Sequence, residues 1–355
     1  MGLVDEFHHY GIKTFSPTQK AAQIETSKIF AKKIMLQAGI PTASFSEVRN
    51  LKEVEGISEK YLKGSSSVVI KADGLAGGKG VFICKNKKEV SDACVVLNKN
   101  FSQACGRIVV EEYLQGRECS YFAFVNGTKY ESLGFAVDFK RLKEQDLGPN
   151  TGGMGGYTPV PWLPSGAEKT VCSRILEPLL ATMEKIPGSS YCGFLYCGLM
   201  WTESGPKVIE FNARLGDPEA QLLAFADQRD WLEIILSTLE KGNKKSYNSS
   251  QNLLNTVGIV MASDCYPYGE KKISSVSPSI EKEVFIPTRD SIVFSASVSE
   301  KNKKFYPGRG RVFTVVGSDC LSHLQAKSIA KEKVMQLEKI WPGCQWRGDI
   351  ASKIC

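Results

Sequence analysis

Three side chains in the stretch Lys207-Val208-Ile209-Glu210-Phe211-Asn212-Ala213-Arg214-Leu215-Gly216-Asp217-Pro218-Glu219 have the types and spacing to handle a metal-bound phosphate. Val208 to Phe211 reads as a buried strand that opens into a polar loop. Successive side chains on a strand point to opposite faces. Glu210 and Asn212 therefore share one face, and Ile209 and Phe211 pack on the other. A carboxylate beside an amide carbonyl is a hard oxygen pair, suited to a magnesium ion that also holds phosphates. Arg214 can reach the same place and grip phosphate oxygens as a planar fork. A strand end with scattered polar residues fits these residues equally well, and the rest of the chain must decide.

Two glycine-rich stretches bear on that decision. Val68 to Lys71 reads as an apolar strand, followed by Ala72-Asp73-Gly74-Leu75-Ala76-Gly77-Gly78-Lys79-Gly80 and a second strand, Val81 to Cys84. This is a hairpin with a long tip. It lacks the Gly-Lys-Ser/Thr ending of a Walker loop, and no helix opens at its glycines as in a dinucleotide fingerprint. Glycines let backbone N–H groups approach phosphate closely, and Lys71 and Lys79 add positive charge. Such a tip exceeds what a plain turn requires, so phosphate binding is the expectation. Leu147 to Tyr157 holds five glycines and reads as an irregular, ordered binding loop. The strand Arg107–Leu114 ends in Glu111, Glu112, Tyr113 and Leu114, a place that could seat an adenine, with Glu118 beyond it for ribose hydroxyls. That last pattern is weak by itself, because many strands end in glutamate.

The elements that would position these groups follow the usual periodicities. Phe30, Ile34 and Ala38 recur on one helical face after Ser27, and Gly39 and Pro41 stop that helix. Residues 1–11 read as helical, Gly11–Phe15 as a short strand, 89–99 and 167–185 as helices, and 193–201 as a strand. A polar stretch at 241–252 reads as a linker into a strand-rich region, closed by a helix from about Leu321 to Ile340.

At 355 residues the chain can bury a sizeable core in two or three domains. Its 42% hydrophobic and 23% charged content is that of an ordinary globular protein. A formal charge of +7 without a dense basic stripe argues against nucleic acid. No run is long enough to span a membrane. Eleven scattered cysteines without CxxC spacing read as reduced residues in a cytoplasmic setting. With three histidines, His8, His9 and His323, a histidine-centred triad is not expected. Chemistry should instead come from phosphate handling and metal-held charge.

Taken together, the lysine-flanked glycine hairpin, the Glu-Glu-Tyr-Leu strand end and Glu210-x-Asn212 followed by Arg214 resemble the ATP-grasp superfamily. The strings Ile70 to Gly80, Gly148 to Gly155 and Glu210 to Glu219 resemble, more narrowly, the phosphoribosylamine–glycine ligase family. The resemblance implies an α+β ATP-grasp fold with a mobile lid subdomain and a smaller strand-rich C-terminal domain. It divides the chain into a remnant of an N-terminal domain (1–26), an ATP-grasp domain (27–245, lid about 66–112) and a C-terminal α+β domain (253–355). The family's N-terminal βαβ domain has no counterpart here, so a separately encoded domain is an expected partner.

The implied activity joins glycine to 5-phosphoribosylamine at the expense of ATP, with Mg²⁺ or Mn²⁺ held by Glu210 and Asn212. Arg214 and Lys71 are the implied catalytic residues. ATP contacts would come from Lys28, Lys71, Gly74, Gly77, Gly78, Lys79, Gly80, Glu111, Glu112, Tyr113, Leu114 and Glu118. Substrate contacts would come from Asp138, Lys140, Arg141, Asn150, Thr151, Gly152, Gly153, Met154, Asp217 and Glu219. Phe139 and the Phe294–Ser297 stretch stand where the family usually has histidine and a His-Ala-Gly-Thr string. These departures leave open a different acceptor amine, or a non-catalytic ATP-binding protein.

Overall fold

A computed structural model describes residues 2–74, 80–100, 107–240, 253–268, 278–352 and 354. Packing divides the chain into two compact units that interleave along the sequence. One comprises Met1–Ser132, Ser165–Arg214 and Trp231–Ser246. The other comprises Leu133–Pro164, Leu215–Asp230 and Tyr247–Cys355. The linker expected at 241–252 lies outside the described residues. Among the described residues, no helix is long and apolar enough to cross a membrane.

In the first unit, the glycine-tipped hairpin is present. Val68–Ala72 pairs antiparallel with Val81–Cys84, Lys71 lying opposite Val81. Ile108–Glu112 and then Phe45–Val48 extend it into a four-stranded sheet. Two helices, Leu51–Gly64 and Lys87–Asn100, supply its core partners, with Val54, Val90, Ala93 and Leu97 packing on Val68, Ile70, Ile108 and Val110. Asn50 caps the first of these helices, accepting from the Glu53 N–H. Ser27 caps the Lys28–Gln37 helix in the same way, accepting from the Phe30 N–H. A separate run of strands places Cys192–Thr202 between Arg117–Asn126 and Gly205–Asn212. The Arg117–Asn126 strand is covered on both faces: Tyr121 meets Cys172 while Phe124 packs edge-on to Trp231. Buried on both sides, its run Tyr121 to Val125 has no need of polar alternation.

Gly11–Phe15 is not a strand. The Ile12 N–H turns back to Phe7 O, and Phe15 anchors the segment by packing on Phe194 and Phe124.

In the second unit, an antiparallel sheet runs Gly155–Thr158, Asn255–Ala262, Arg311–Asp319 and Ser291–Ser295. The His323–Ile340 helix buries Ala326, Ala330, Val334 and Leu337 along one stripe. Gly317 permits its close approach, since a Cβ there would lie 2.3 Å from Ala326 O. The basic run Lys301–Lys304 is the tip of a two-stranded hairpin, with Asn302 and Lys303 at positive φ.

The glycine-rich stretch 147–157 is more regular than its composition suggests. Leu147–Asn150 pairs with Arg141–Lys143, and Gly155–Thr158 joins the sheet. Here glycine serves close packing rather than irregularity. A Cβ on Gly156 would lie 2.2 Å from Val137 O, and one on Gly155 would lie 2.4 Å from Gly258 O.

Candidate functional site

The strand Gly205–Asn212 delivers Glu210 and Asn212 to one face, as alternation requires. Phe211 is buried on the other face, whereas Ile209 is only half-buried. Glu210 is exposed and Asn212 buried. The Asn212 amide donates to Glu210 Oε1 at 3.3 Å, and Arg214 Nη2 donates to Asn212 Oδ1 at 3.4 Å. A residue missed in the sequence completes this group. Glu25 accepts from Arg214 Nε at 2.9 Å and from the Ala213 N–H at 2.8 Å, and so fixes the arginine's direction. Nothing local to Glu25 marks it, since its partners lie 188 and 189 positions away.

Lysines gather in the same unit. Lys28 Nζ donates to Gly74 O at 2.9 Å, at the start of the glycine tip. Burial lowers the Lys28 pKa, opposed chiefly by the charge of Glu210. Asp73 accepts from Ser27 Oγ and the Ile29 N–H and pairs with Arg107, tying the first residues of the tip to a helix N-terminus. Gly80 accepts from the Ala72 N–H across the hairpin. The expected phosphate contacts Gly77, Gly78 and Lys79 lie outside the described residues.

Lys71 is buried, 3.0 Å from Glu111 Oε2, and also donates to Ile209 O. Lys32, also missed in the sequence, lies 3.3 Å from the other Glu111 oxygen, and burial pulls its pKa down to about 8. The Glu111 carboxylate is thus engaged by lysines. Glu112 accepts from the Ser44 N–H and pairs with Lys207; against the opposing pull of burial, these hold its carboxyl below the ordinary range. Tyr113 and Leu114 are half-buried, and Glu118 is exposed.

The second unit brings together most of the expected substrate residues. Thr151 donates twice to Lys140 O, through its N–H at 2.7 Å and its hydroxyl at 2.8 Å. Lys140 pairs with Asp138 at 3.1 Å. Arg141 donates to Gly148 O, and Asn150 is exposed. Gly152 donates to the Tyr266 hydroxyl at 2.8 Å. Arg311 Nη1 donates to Gly152 O at 2.7 Å and to Asp217 O at 2.6 Å, and lies 3.1 Å from Asp217 Oδ1. Gly153 has φ +118°, and a Cβ there would meet Pro218 Cδ at 2.6 Å. Loop and Asp217 segment are therefore fitted to each other.

Glu219 is buried. Its burial, reinforced by the charge of Asp138, pushes its pKa up to about 8. Gly216 leaves room for its carboxylate, since a Cβ there would meet Glu219 Oε2 at 2.4 Å. Met154 departs from expectation. It is fully buried, packs with Leu142 and Ala262, and spends its N–H on Phe139 O and its carbonyl on the Val260 N–H. It supports the loop from the core. Phe139 lies under the Arg347 guanidinium at 5.2 Å, a cation–π contact that a residue outside the expected set supplies.

Among the described residues, no group of three or more His, Cys, Asp or Glu gathers as a metal cage. The Glu210 carboxylate with the Asn212 amide beside it is a donor set that fits a small hard cation taking its remaining ligands from phosphates and water, once the Asn212 oxygen turns from Arg214.

Comparison with known proteins identifies the family. The family described as Phosphoribosylglycinamide synthetase, ATP-grasp (A) domain matches residues 26–220, more than half of the chain. A Streptococcus pneumoniae protein named phosphoribosylamine–glycine ligase is 38% identical, the match covering 99% of this chain and 81% of that protein. A protein of the same name from Caldanaerobacter subterraneus subsp. tengcongensis is 39% identical over the same shares. The crystal structure of a Thermotoga maritima phosphoribosylamine–glycine ligase superposes with a TM-score of 0.81 at 33% identity, covering 95% of this chain and 81% of that one. A Hydrogenobacter thermophilus biotin carboxylase domain, solved with MgADP, shares the fold at a TM-score of 0.70 and 16% identity, over 96% of this chain and 72% of that one.

Proposed function

The chain belongs to the phosphoribosylamine–glycine ligase family of ATP-grasp enzymes, and from that membership we infer that it joins glycine to 5-phosphoribosylamine with cleavage of ATP. In this reading the glycine carboxylate attacks the γ-phosphate, giving glycyl phosphate and ADP. The amine of phosphoribosylamine then displaces phosphate to give glycinamide ribonucleotide, a step of purine synthesis. The observation that carries the reading is the convergence of Glu210, Asn212 and Arg214, braced by Glu25, in the unit that also holds Lys28 and Lys71.

Phosphoryl transfer depends mainly on positioning and on neutralising charge, and these residues supply both. Lys28 and Lys71 would pair with ATP phosphates. Arg214, aimed by Glu25, would stabilise charge on the transferred phosphoryl group. Glu210 and Asn212 would hold Mg²⁺ or Mn²⁺, which supplies charge neutralisation at the phosphates when bound. Gly74 and Gly80, with Gly77, Gly78 and Lys79, would close over the phosphates, the strand end at Glu112, Tyr113 and Leu114 would border the adenine, and Glu118 would accept from the ribose. In the second unit, Asp138, Lys140, Arg141, Asn150, Thr151, Gly152, Gly153, Asp217 and Glu219 would contact glycine and the ribose phosphate. No step needs a strong side-chain base, in keeping with the three histidines. A cytosolic setting is part of the proposal, and nine cysteines present as thiols among the described residues support it.

The test is ADP release and amide formation with glycine, ATP and phosphoribosylamine, each omitted in turn. Product that requires all three supports the reading; ATP cleavage indifferent to glycine overturns it. Glu210→Ala should abolish metal-dependent turnover yet fold normally, because the side chain is exposed.

A further inference from the structure

Lys32 has no part in the metal pair or the phosphate contacts, yet it is among the most deeply buried charges in the molecule, 2% exposed. It lies one helical turn beyond Lys28, on the same face of the Lys28–Gln37 helix. Its ammonium group is held from several sides: Thr42 Oγ1 accepts at 2.8 Å, Ala43 O accepts at 3.3 Å, and the Phe45 ring centroid is 5.2 Å away. Glu111 Oε1 lies 3.3 Å from it, while Glu111 Oε2 lies 3.0 Å from Lys71. One buried carboxylate therefore lies between two buried ammonium groups, closer to Lys71, and its Oε1 on the Lys32 side is an ion-pair contact without a hydrogen bond among the described residues.

The charge balance gives this arrangement its consequence. These two lysines and one glutamate carry a net positive charge in a region from which water is largely excluded; Glu112 also acts on Lys32, but it is half-buried and already paired with Lys207. Uncompensated buried charge is strongly unfavourable, so the group is poised to accept an anion. Without Lys32, Glu111 and Lys71 would form a closed one-to-one pair, and Lys71 would offer little net charge to a ligand. Lys32 is held in place by Thr42, Ala43 and Phe45, whereas Lys71 keeps only Glu111 and Ile209 O among the described residues, so Lys71 is the one of the two that can turn its charge to a ligand. We propose that Lys32 is a positioning residue for nucleotide binding: it occupies one oxygen of Glu111 so that Lys71 retains positive charge for the polyphosphate. The proposal rests on the ATP reading above.

Calorimetric titration of MgATP into the full chain and its variants tests it. Lys32→Met should weaken binding by about tenfold or more, the equivalent of one charge-assisted hydrogen bond. Adding Glu111→Gln to that variant should restore most of the lost affinity, because it frees Lys71 from the closed pair. Merely structural damage would not be repaired by a second substitution in the same core. Lys32→Gln keeps a donor for Thr42 and Ala43 without the charge, and should bind like Lys32→Met; thermal unfolding reports which variants are folded. Single variants that bind within about twofold of the parent, or a double variant no tighter than Lys32→Met, would overturn the proposal. A parent chain that does not bind MgATP would instead remove the ATP reading itself, and the proposal with it.

Discussion

Replacing Arg311 by methionine keeps the aliphatic stem and removes the guanidinium that joins the glycine loop to Asp217. The loss comprises hydrogen bonds to Gly152 O and Asp217 O and an ion pair to Asp217 Oδ1. Gly152 and Asp217 are exposed, so water replaces much of what is removed. A charge-assisted hydrogen bond contributes about 1.5–3 kcal/mol when protected and an exposed ion pair at most about 1 kcal/mol. The net stability cost should therefore be about 1–3 kcal/mol, a fall in melting temperature of roughly 2–10 °C. The functional cost should be larger. Misplacing reacting groups by about 1 Å can cost about 10²-fold, and Arg311 fixes where Gly152 stands relative to Asp217. Amide formation at saturating ATP should show kcat/KM for glycine or phosphoribosylamine down by about 10–100-fold. MgATP affinity should stay at the parent value, because the residues assigned to ATP belong to the other unit. Arg311→Lys should rescue little, since an ammonium cannot reproduce the planar fork. Unchanged kcat/KM for both substrates, alongside a lowered melting temperature, would show the clamp to be structural only and refute the reasoning.

Glu219 makes stability pH-dependent. Its folded pKa, about 8, lies above the unfolded value, so the native state binds more protons and stability falls as pH rises between about 4 and 8. Thermal unfolding of Glu219→Gln against pH should be flatter than the parent across that window, with the variant gaining most at its alkaline end. Glu25→Gln should leave MgATP binding in place and lower kcat by about tenfold or more, because Arg214 loses its charged brace; an unchanged single-turnover rate would count against it. Gly156→Ala should destabilise by about 1–3 kcal/mol in urea unfolding, since its methyl would sit 2.2 Å from Val137 O. A midpoint equal to the parent's would mean the strand relaxes freely there.

Local pattern determined much of this protein. Alternation alone put Glu210 and Asn212 on one face, and the two strands that flank the glycine string, Val68–Ala72 and Val81–Cys84, pair antiparallel as they read. Ser27, a serine ahead of an apolar helical stripe, caps its helix. Each is governed by neighbours within a few residues, so each is legible. What tertiary structure decided were pairings between distant positions. Glu25 braces Arg214, Lys32 shares Glu111 with Lys71, and Arg311 joins Gly152 to Asp217, across separations with no local signal. The glycine-rich stretch 147–157 misled for the same reason. Glycine permits both loose chain and the closest backbone packing, and only the carbonyls of Val137 and Gly258 beside it determine which of the two occurs.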